Sequence, residues 1–212
     1  MSRLLLATNN PGKAAELRDL LDGCGWEMVT PADLGLDIDA EETGETYQEN
    51  ARIKAMAGMQ ASGLVTLADD SGLEVQAMGG EPGVLSARFL GPTASFPERF
   101  AEIERRLAGK TLDERTCRFV AVIAIADPRT NDVHFAEGEA RGLIASRPRG
   151  DGGFGYDPIF WSPEQSETFG ELPDREKAII SHRARAAAGA RQILLRLFHE
   201  HERQPSSYAR LT

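Results

Sequence analysis

The segment from Leu4 to Leu21 constrains the fold of this chain most, because it joins a buried strand to a helix through a very short turn. Leu4 to Leu6 are typical of the end of a buried strand. After the turn, Leu17, Leu20 and Leu21 fall on one face of a helix. A strand that leads directly into an amphipathic helix favours an α/β fold.

The turn between these two elements, "NNPGK", contains a cation in an unfavourable place. Asn10 is predicted to cap the helix and Pro11 to occupy its first position, while Gly12 allows another group to approach the backbone. Lys13 then lies in the first helical turn, where the helix dipole disfavours a positive charge. Either Lys13 is solvated, at a cost of about 0.3–1 kcal/mol, or it supplies the countercharge of an anion site at the helix terminus. The loop is not a Walker A motif, because Ala14 follows the lysine.

The rest of the chain alternates predicted strands and helices and ends its strand series with a long hairpin. Thr46 and Glu49 have the spacing of a capping box and predict a helix to Ser62. The segments 116–127 and 132–145 flank a Pro-Arg-Thr-Asn turn and predict the hairpin. This order predicts an α/β fold with a mixed twisted sheet and flanking helices. We expect one domain over residues 1–202 and a polar tail over 203–212.

Charge and cysteine content exclude several classes of protein. A net charge of −9 over 212 residues argues against a nucleic-acid polymer as partner, but a few local cations or a divalent metal would still attract a small anion. Cys24 and Cys117 are too few for a disulfide framework, so both are expected to be reduced. No apolar run approaches the ~20 residues of a membrane span, and no signal peptide is recognisable, so we expect a cytoplasmic protein without a membrane partner.

Two adjacent carboxylates, Asp69 and Asp70, follow the apolar run "LVTL". If the strand ends there, the pair lies where open α/β sheets bind ligands, and a divalent cation such as Mg²⁺ would relieve their repulsion. The alternative is a simple turn made by Asp-Asp-Ser-Gly. A second acidic segment, with Glu41 and Glu42, precedes the helix that Thr46 begins.

Two further segments suggest ligand recognition. The loop "RGDGGFGYDP" holds Phe154 and Tyr156 among glycines, which is typical either of a platform on which a base stacks or of rings that pack into the core. Ser181 is predicted to begin the last helix, which is expected to run to about Glu200. Its first turn is crowded by His182, Arg183 and Arg185, a second placement of cations against the helix dipole.

The motifs "ATNNPGK", "EETGETYQENA", "ADDSGL", "GGEPGVLSARF", "GGFGYDPIF" and "KAIISHRARA" occur in this order. Together they resemble the inosine/xanthosine triphosphate pyrophosphatase family over about residues 4–197. The resemblance implies an elongated two-lobed chain with a central cleft, a homodimer, and Mg²⁺. It also implies cleavage of purine nucleoside triphosphates to the monophosphate and pyrophosphate.

The resemblance also implies roles for individual residues. Asp70 would be the general base and a metal ligand, with Glu41 as the second metal ligand and Ser71 in contact with substrate. The residues implied to hold the phosphates are Thr8, Asn9, Asn10, Pro11, Gly12 and Lys13. Those implied to surround the base and sugar are Phe154, Gly155, Tyr156, Asp157, Lys177, His182 and Arg183. Asn9 departs from the glycine that many relatives have at this position.

Two other functions compete with this interpretation. One is the related septum-inhibitor-like family of pyrophosphatases, which prefers other unusual nucleotides; "SHR" and "FGYD" argue against it. The other is a nucleotide-binding regulator without turnover. The paired carboxylates argue against a regulator, because binding alone needs no base beside a metal.

Overall fold

The computed structural model of this chain describes residues 2–203. The α-helices are α1 (Pro11–Leu20), α2 (Tyr47–Ser62), α3 (Phe96–Arg106), α4 (Asp174–Ile180) and α5 (His182–Arg203). The strands are β1 (Arg3–Leu6), β2 (Glu27–Val29), β3 (Val65–Val75), β4 (Thr116–Asp127), β5 (Asp132–Ile144), β6 (Phe160–Ser162) and β7 (Glu167–Thr168). Short 3₁₀ helices, including Gly83–Arg88 and Asp157–Ile159, connect them.

The strands form one seven-stranded mixed sheet in the order β2-β1-β3-β4-β5-β6-β7. β1 pairs in parallel with β2 and β3, and the remaining neighbours pair antiparallel. The α/β class, the mixed sheet and the β4–β5 hairpin predicted from the sequence are therefore confirmed.

The predicted helix starts are also confirmed. The Asn10 side chain accepts hydrogen bonds from the backbone of Gly12 and Lys13, and Thr46 forms a capping box with Glu49. Ser181 Oγ accepts from the backbone of Ala184 at the start of α5. The short helix α4, directly before α5, was not expected from the sequence.

Helices cover both faces of the sheet. On one face α1 and α5 pack on the central strands, with Leu17, Leu67, Ile123 and Ala187 buried together. On the other face α2 packs through its small residues against a cluster that contains Val122. The two cysteines are free and buried.

The prediction that a strand ends at Asp69 and Asp70 is wrong, and so is the alternative of a turn. β3 continues to Val75, because β4 pairs with it from Thr66, opposite Ala126, as far as Val75, opposite Cys117. β1, in contrast, ends at Leu6, opposite Leu67. The two carboxylates therefore lie in mid-strand, but just where the parallel part of the sheet stops.

Successive side chains of a strand point to opposite faces, so these two carboxylates do not face each other. Asp69 lies opposite Ile123, on the side of α1 and α5, whereas Asp70 lies opposite Val122, on the side of α2. The mutual repulsion expected from their adjacency in the sequence is not a feature of the fold.

Among residues 2–203 no helix combines the length and apolarity needed to cross a membrane. The expected polar tail lies, from residue 204 onward, outside the described residues.

Candidate active site

Two adjoining cavities open beside β3, at the point where β1 has ended. The first, of about 260 Å³, contains both Lys13 and Lys54, and we call it the lysine cavity. The second, of about 140 Å³, lies among aromatic rings, and we call it the aromatic cavity. The lysine cavity is lined by Ala7, Thr8, Asn9, Asn10, Lys13, Pro31, Ile38, Asp39, Ala40, Glu42, Lys54 and Ala87. Predicted site residues on the aromatic cavity are Asn10, Lys13, Asp70, Ser71, Phe154, Gly155, Tyr156, Asp157, His182 and Arg183.

Lys13 lines both cavities, and the interpretation of it as a solvated lysine is wrong. Its side chain is mostly buried rather than solvated, and its Nζ lies 3.2 Å from Asp69 Oδ2. Burial lowers the pKa of Lys13, against the opposing charge of Asp69. The helix dipole is thus countered by a carboxylate of this chain.

Asp69 is the buried centre of an ionic cluster. Its Oδ2 accepts from Arg183 Nη2 at 3.2 Å and Nε at 3.3 Å as well as facing Lys13. Burial raises the pKa of Asp69, but the charges of Lys13 and Arg183 outweigh it and hold the pKa far below its usual range. Asp69 is therefore an anion that these two cations share.

Asp70, on the opposite face of β3, is available for chemistry. Its Oδ1 accepts from Lys54 Nζ at 3.0 Å, while its buried Oδ2 has no hydrogen-bond partner. Burial raises the pKa of Asp70, and the nearby charge of Lys54 opposes this. A buried carboxylate oxygen without a partner, on the wall of a cavity, is suited to accept a proton or bind a cation.

Lys54 was missed by the sequence analysis, although the sequence holds a signal for it. It is adjacent on α2 to Ala51 and Ala55, which are both fully buried against the sheet. Besides Asp70 it binds Glu42 Oε1, at 2.8 Å. A lysine beside the small, buried residues of an amphipathic helix is therefore placed to enter a site at the sheet.

Of the two candidate acidic residues in the loop before α2, Glu42 faces the site and Glu41 is exposed. Arg88 fixes this loop by donating to Glu42 Oε2 at 3.1 Å and to the Glu42 carbonyl oxygen at 3.2 Å. Burial by itself raises the pKa of Glu42, but the positive charge of Lys54 has the opposite effect. The pKa is lower than usual overall, so the carboxylate is ionised.

Glu16, which was also not predicted from the sequence, connects two cations of the cluster, Lys177 and Arg183. It lies three residues after Lys13 on α1 and accepts from Lys177 Nζ at 2.6 Å and from Arg183 Nη1. Lys177 Nζ also donates a hydrogen bond to Asp157 Oδ2, at 2.8 Å. Carboxylates and cations thus alternate from Lys13 through to Asp157.

The glycine-rich loop contributes one exposed ring, not two. Phe154 is partly exposed, and its ring lies 5.1 Å from Lys177 Nζ and 5.3 Å from Arg183 Cζ. A Cβ at Gly12 would lie 3.0 Å from this ring, so the glycine of the first turn admits Phe154. Tyr156 is buried and donates from its hydroxyl to the Ser86 carbonyl oxygen at 2.9 Å, so its ring packs into the core.

His182 is not a cation, contrary to the expectation from its helix position. It is buried and stacks on Phe119, with ring centroids 4.5 Å apart. Burial lowers its pKa well below 6.5, and its Nδ1 has no hydrogen-bond partner. Arg183 remains charged among its carboxylates, and Arg185 is exposed and donates to the Glu139 carbonyl oxygen.

Because His182 is buried and neutral, we expect the free energy of unfolding to fall in acid. Below pH 6.5 the unfolded chain takes up a proton at this position that the folded chain does not, so the free energy of unfolding falls by up to about 1.4 kcal/mol per pH unit. We expect urea unfolding at about pH 7.5 and about pH 5.5 to show a smaller decrease for His182→Gln than for the parent. An equal decrease in both would contradict a buried neutral imidazole.

The other predicted residues are placed as follows. Thr8 Oγ1 accepts from the Asn10 backbone at 3.2 Å, Asn9 Nδ2 donates to the Ile38 carbonyl oxygen at 3.3 Å, and Ser71 Oγ accepts from Arg183. Four predicted residues line neither the lysine cavity nor the aromatic cavity: Pro11, Gly12, Glu41 and Lys177.

The ionic cluster of paired side chains around the two cavities is balanced in charge, and Asp39 adds a further carboxylate to the wall of the lysine cavity. Its five cations are Lys13, Lys54, Lys177, Arg88 and Arg183. Its five carboxylates are Asp69, Asp70, Asp157, Glu16 and Glu42. Within residues 2–203 no group of three or more His, Cys, Asp or Glu side chains could by itself hold a metal ion. A polyanionic ligand would therefore leave the site negative unless it brings a cation with it.

Comparison with known proteins identifies the family. Residues 4–193 match the Ham1 family. The dITP/XTP pyrophosphatase of Desulforamulus reducens is 46% identical over 200 residues, covering 94% of this chain and 99% of the relative. That of Thermus thermophilus is 48% identical over 184 residues, with 87% of each chain covered. A solved HAM1 protein from Coxiella burnetii superposes with a TM-score of 0.84 at 37% identity, covering 92% of this chain and all of the other. This chain belongs to the Ham1 family.

Proposed function

We propose that this chain is a dITP/XTP pyrophosphatase that hydrolyses deaminated purine nucleoside triphosphates, including ITP, to the monophosphate and pyrophosphate. The observation that carries the proposal is the pair of adjoining cavities that share Lys13: Asp70 lines the aromatic cavity and pairs with Lys54, which lines the lysine cavity. A nucleotide also has two chemically distinct ends. The relatives from Desulforamulus reducens and Thermus thermophilus carry the same activity in their names.

In this proposal the triphosphate lies in the lysine cavity. Lys13 and Lys54 supply positive charge there, and Asn10 holds the first turn of α1 with its positive dipole end beside them. Thr8 and Asn9 form the adjoining backbone. Water attacks the α-phosphorus, and Asp70 accepts its proton through the oxygen that has no partner.

The residues present fit a Mg²⁺ ion. Asp70 and Glu42 meet at Lys54 Nζ, so two carboxylate groups lie side by side, and the balanced cluster lacks the charge to neutralise a triphosphate. Mg²⁺ is commonly held by one or two carboxylates together with substrate phosphates, and it would neutralise charge that develops on them. Asp70 and Glu42 would be its protein ligands; Glu42 takes the place of Glu41, which is exposed.

The base is proposed to occupy the aromatic cavity, beside Phe154. Arg183 and His182 would recognise the 6-keto oxygen of hypoxanthine or xanthine, which adenine replaces with an amino group. A site built around donors leaves them unpaired against that amino group, which can discriminate by orders of magnitude. The loop around Phe154 and Asp157 would exclude the 2-amino group of guanine, and Ser71 and Gly155 would contact the sugar.

We further propose a homodimer and a single domain over residues 1–202 with two lobes around the cleft. Light scattering during size-exclusion chromatography would test the dimer. Limited proteolysis would test the domain, since a single domain resists internal cleavage.

A panel of triphosphates with Mg²⁺ tests the proposed activity. We expect pyrophosphate, without orthophosphate, from dITP, ITP and XTP, with kcat/KM at least about tenfold above that for dGTP and a still lower value for ATP. Binding of dITP without turnover would instead support a regulator. Orthophosphate release, or a preference for other unusual nucleotides, would also overturn the proposal.

A further inference from the structure

We propose that Asp69 is a positioning residue that couples recognition of the base to placement of the phosphates, by sharing one oxygen between Arg183 and Lys13. The inference rests on the proposed function, because it assumes that these two cations serve opposite ends of one nucleotide. The residue has no place in the chemistry proposed above, which uses its neighbour Asp70.

The geometry concentrates both interactions on a single atom. Asp69 Oδ2 lies 3.2 Å from Lys13 Nζ and 3.2 Å from Arg183 Nη2, whereas the buried Oδ1 has no hydrogen-bond partner. The side chain of Asp69 is 0% exposed and that of Arg183 is 2% exposed. Water therefore cannot replace either cation, and the charge of Asp69 depends on these two neighbours.

This dependence decides when Lys13 can bind phosphate. If Lys13 turns to a phosphate, Arg183 must neutralise Asp69 alone. Without Arg183, the departure of Lys13 would leave an unpaired buried carboxylate, which is strongly unfavourable. Arg183 in its place thus releases Lys13 for the phosphates.

The base controls whether Arg183 is in place. A 6-keto oxygen accepts from the guanidinium and leaves it on Asp69, Glu16 and Ser71. The N–H groups of a 6-amino group face the N–H groups of the Arg183 guanidinium, and this contact between two donors displaces the guanidinium. Lys13 is then retained by Asp69, and the phosphates of the wrong nucleotide are held poorly, so discrimination appears in kcat as well as in KM.

Calorimetric binding of sodium tripolyphosphate, a ligand without a base, tests this coupling without turnover. Arg183→Ala is compared with Lys177→Ala, since each removes one buried cation that contacts Glu16, but Lys177 does not contact Asp69. We expect Arg183→Ala to weaken tripolyphosphate binding at least about tenfold more than Lys177→Ala does, a coupling within the range for residues of one ionic network. Equal losses, or no loss, would overturn the proposal.

Two further variants separate coupling from a merely structural role. Adding Asp69→Asn to Arg183→Ala removes the charge that retains Lys13 and should restore tripolyphosphate binding to within about threefold of the parent. If the Arg183 variants do not fold, Asp69→Asn alone should reduce the ratio of kcat for dITP to kcat for ATP at least about tenfold. A double variant that stays weak, or a single variant that keeps the kcat ratio, contradicts the coupling. If the variants show the expected effects on tripolyphosphate binding but the parent hydrolyses neither dITP nor XTP, the proposed function alone is refuted.

Discussion

Asp70→Asn is expected to lower kcat for dITP by at least ~10²-fold, the loss typical when a general base is removed. The substitution keeps the shape of the side chain but removes the basicity of Asp70 Oδ2, the oxygen without a hydrogen-bond partner. Asp70 lines the aromatic cavity. It also removes the charge opposite Lys54. Steady-state kinetics on protein with parental melting behaviour measures the loss.

Asp127→Asn is the matched control for this variant. Asp127 is likewise a buried carboxylate on a strand of the same sheet, but it pairs with Arg129 beside the hairpin turn and lines neither cavity. We expect it to lose stability and to retain kcat within about twofold, as for a site distant from the chemistry. Near-parental turnover in Asp70→Asn would show that another group accepts the proton.

Lys13→Ala is expected to reduce kcat/KM for dITP by at least ~10²-fold, because it removes the cation that reaches both cavities. Loss of a cation from the first turn would by itself favour α1. However, Asp69 then keeps only Arg183 as a partner, so the free energy of unfolding should fall by about 1–3 kcal/mol.

Lys110→Ala provides the comparison. Lys110 is an exposed lysine paired with Glu114, and its loss should change the free energy of unfolding by less than about 0.5 kcal/mol and leave the kinetics unchanged. If Lys13→Ala behaved in the same way in urea unfolding and in kinetics, Lys13 would be a solvated surface residue after all.

Local signals in the sequence were sufficient for most of the fold. The caps at Asn10, Thr46 and Ser181 follow from side-chain chemistry within a few residues, and the hairpin follows from alternation on either side of its turn. The length of β3 did not follow, because Asp69 and Asp70 are poor strand formers that only the pairing with β4 keeps extended.

The site was predictable to a similar extent and for similar reasons. The cations Lys13 and Arg183 were conspicuous because each opposes a helix dipole, and the structure brings both to Asp69. Glu16 and Lys54 lack such an anomaly, and their roles depend on contacts with residues far away in the chain. The opposite orientation of adjacent carboxylates also required knowledge that they lie in a strand.

Hydrolysis of dITP in ¹⁸O-labelled water tests the central claim most directly, since it reports which phosphorus the water attacks. Asp70 lines the cavity proposed for the base and pairs with Lys54 in the cavity proposed for the phosphates, so attack is expected at the phosphorus nearest the nucleoside, the α-phosphorus. Mass spectrometry should then find the label in the monophosphate and none in pyrophosphate. Label in pyrophosphate, or labelled orthophosphate, would contradict the account.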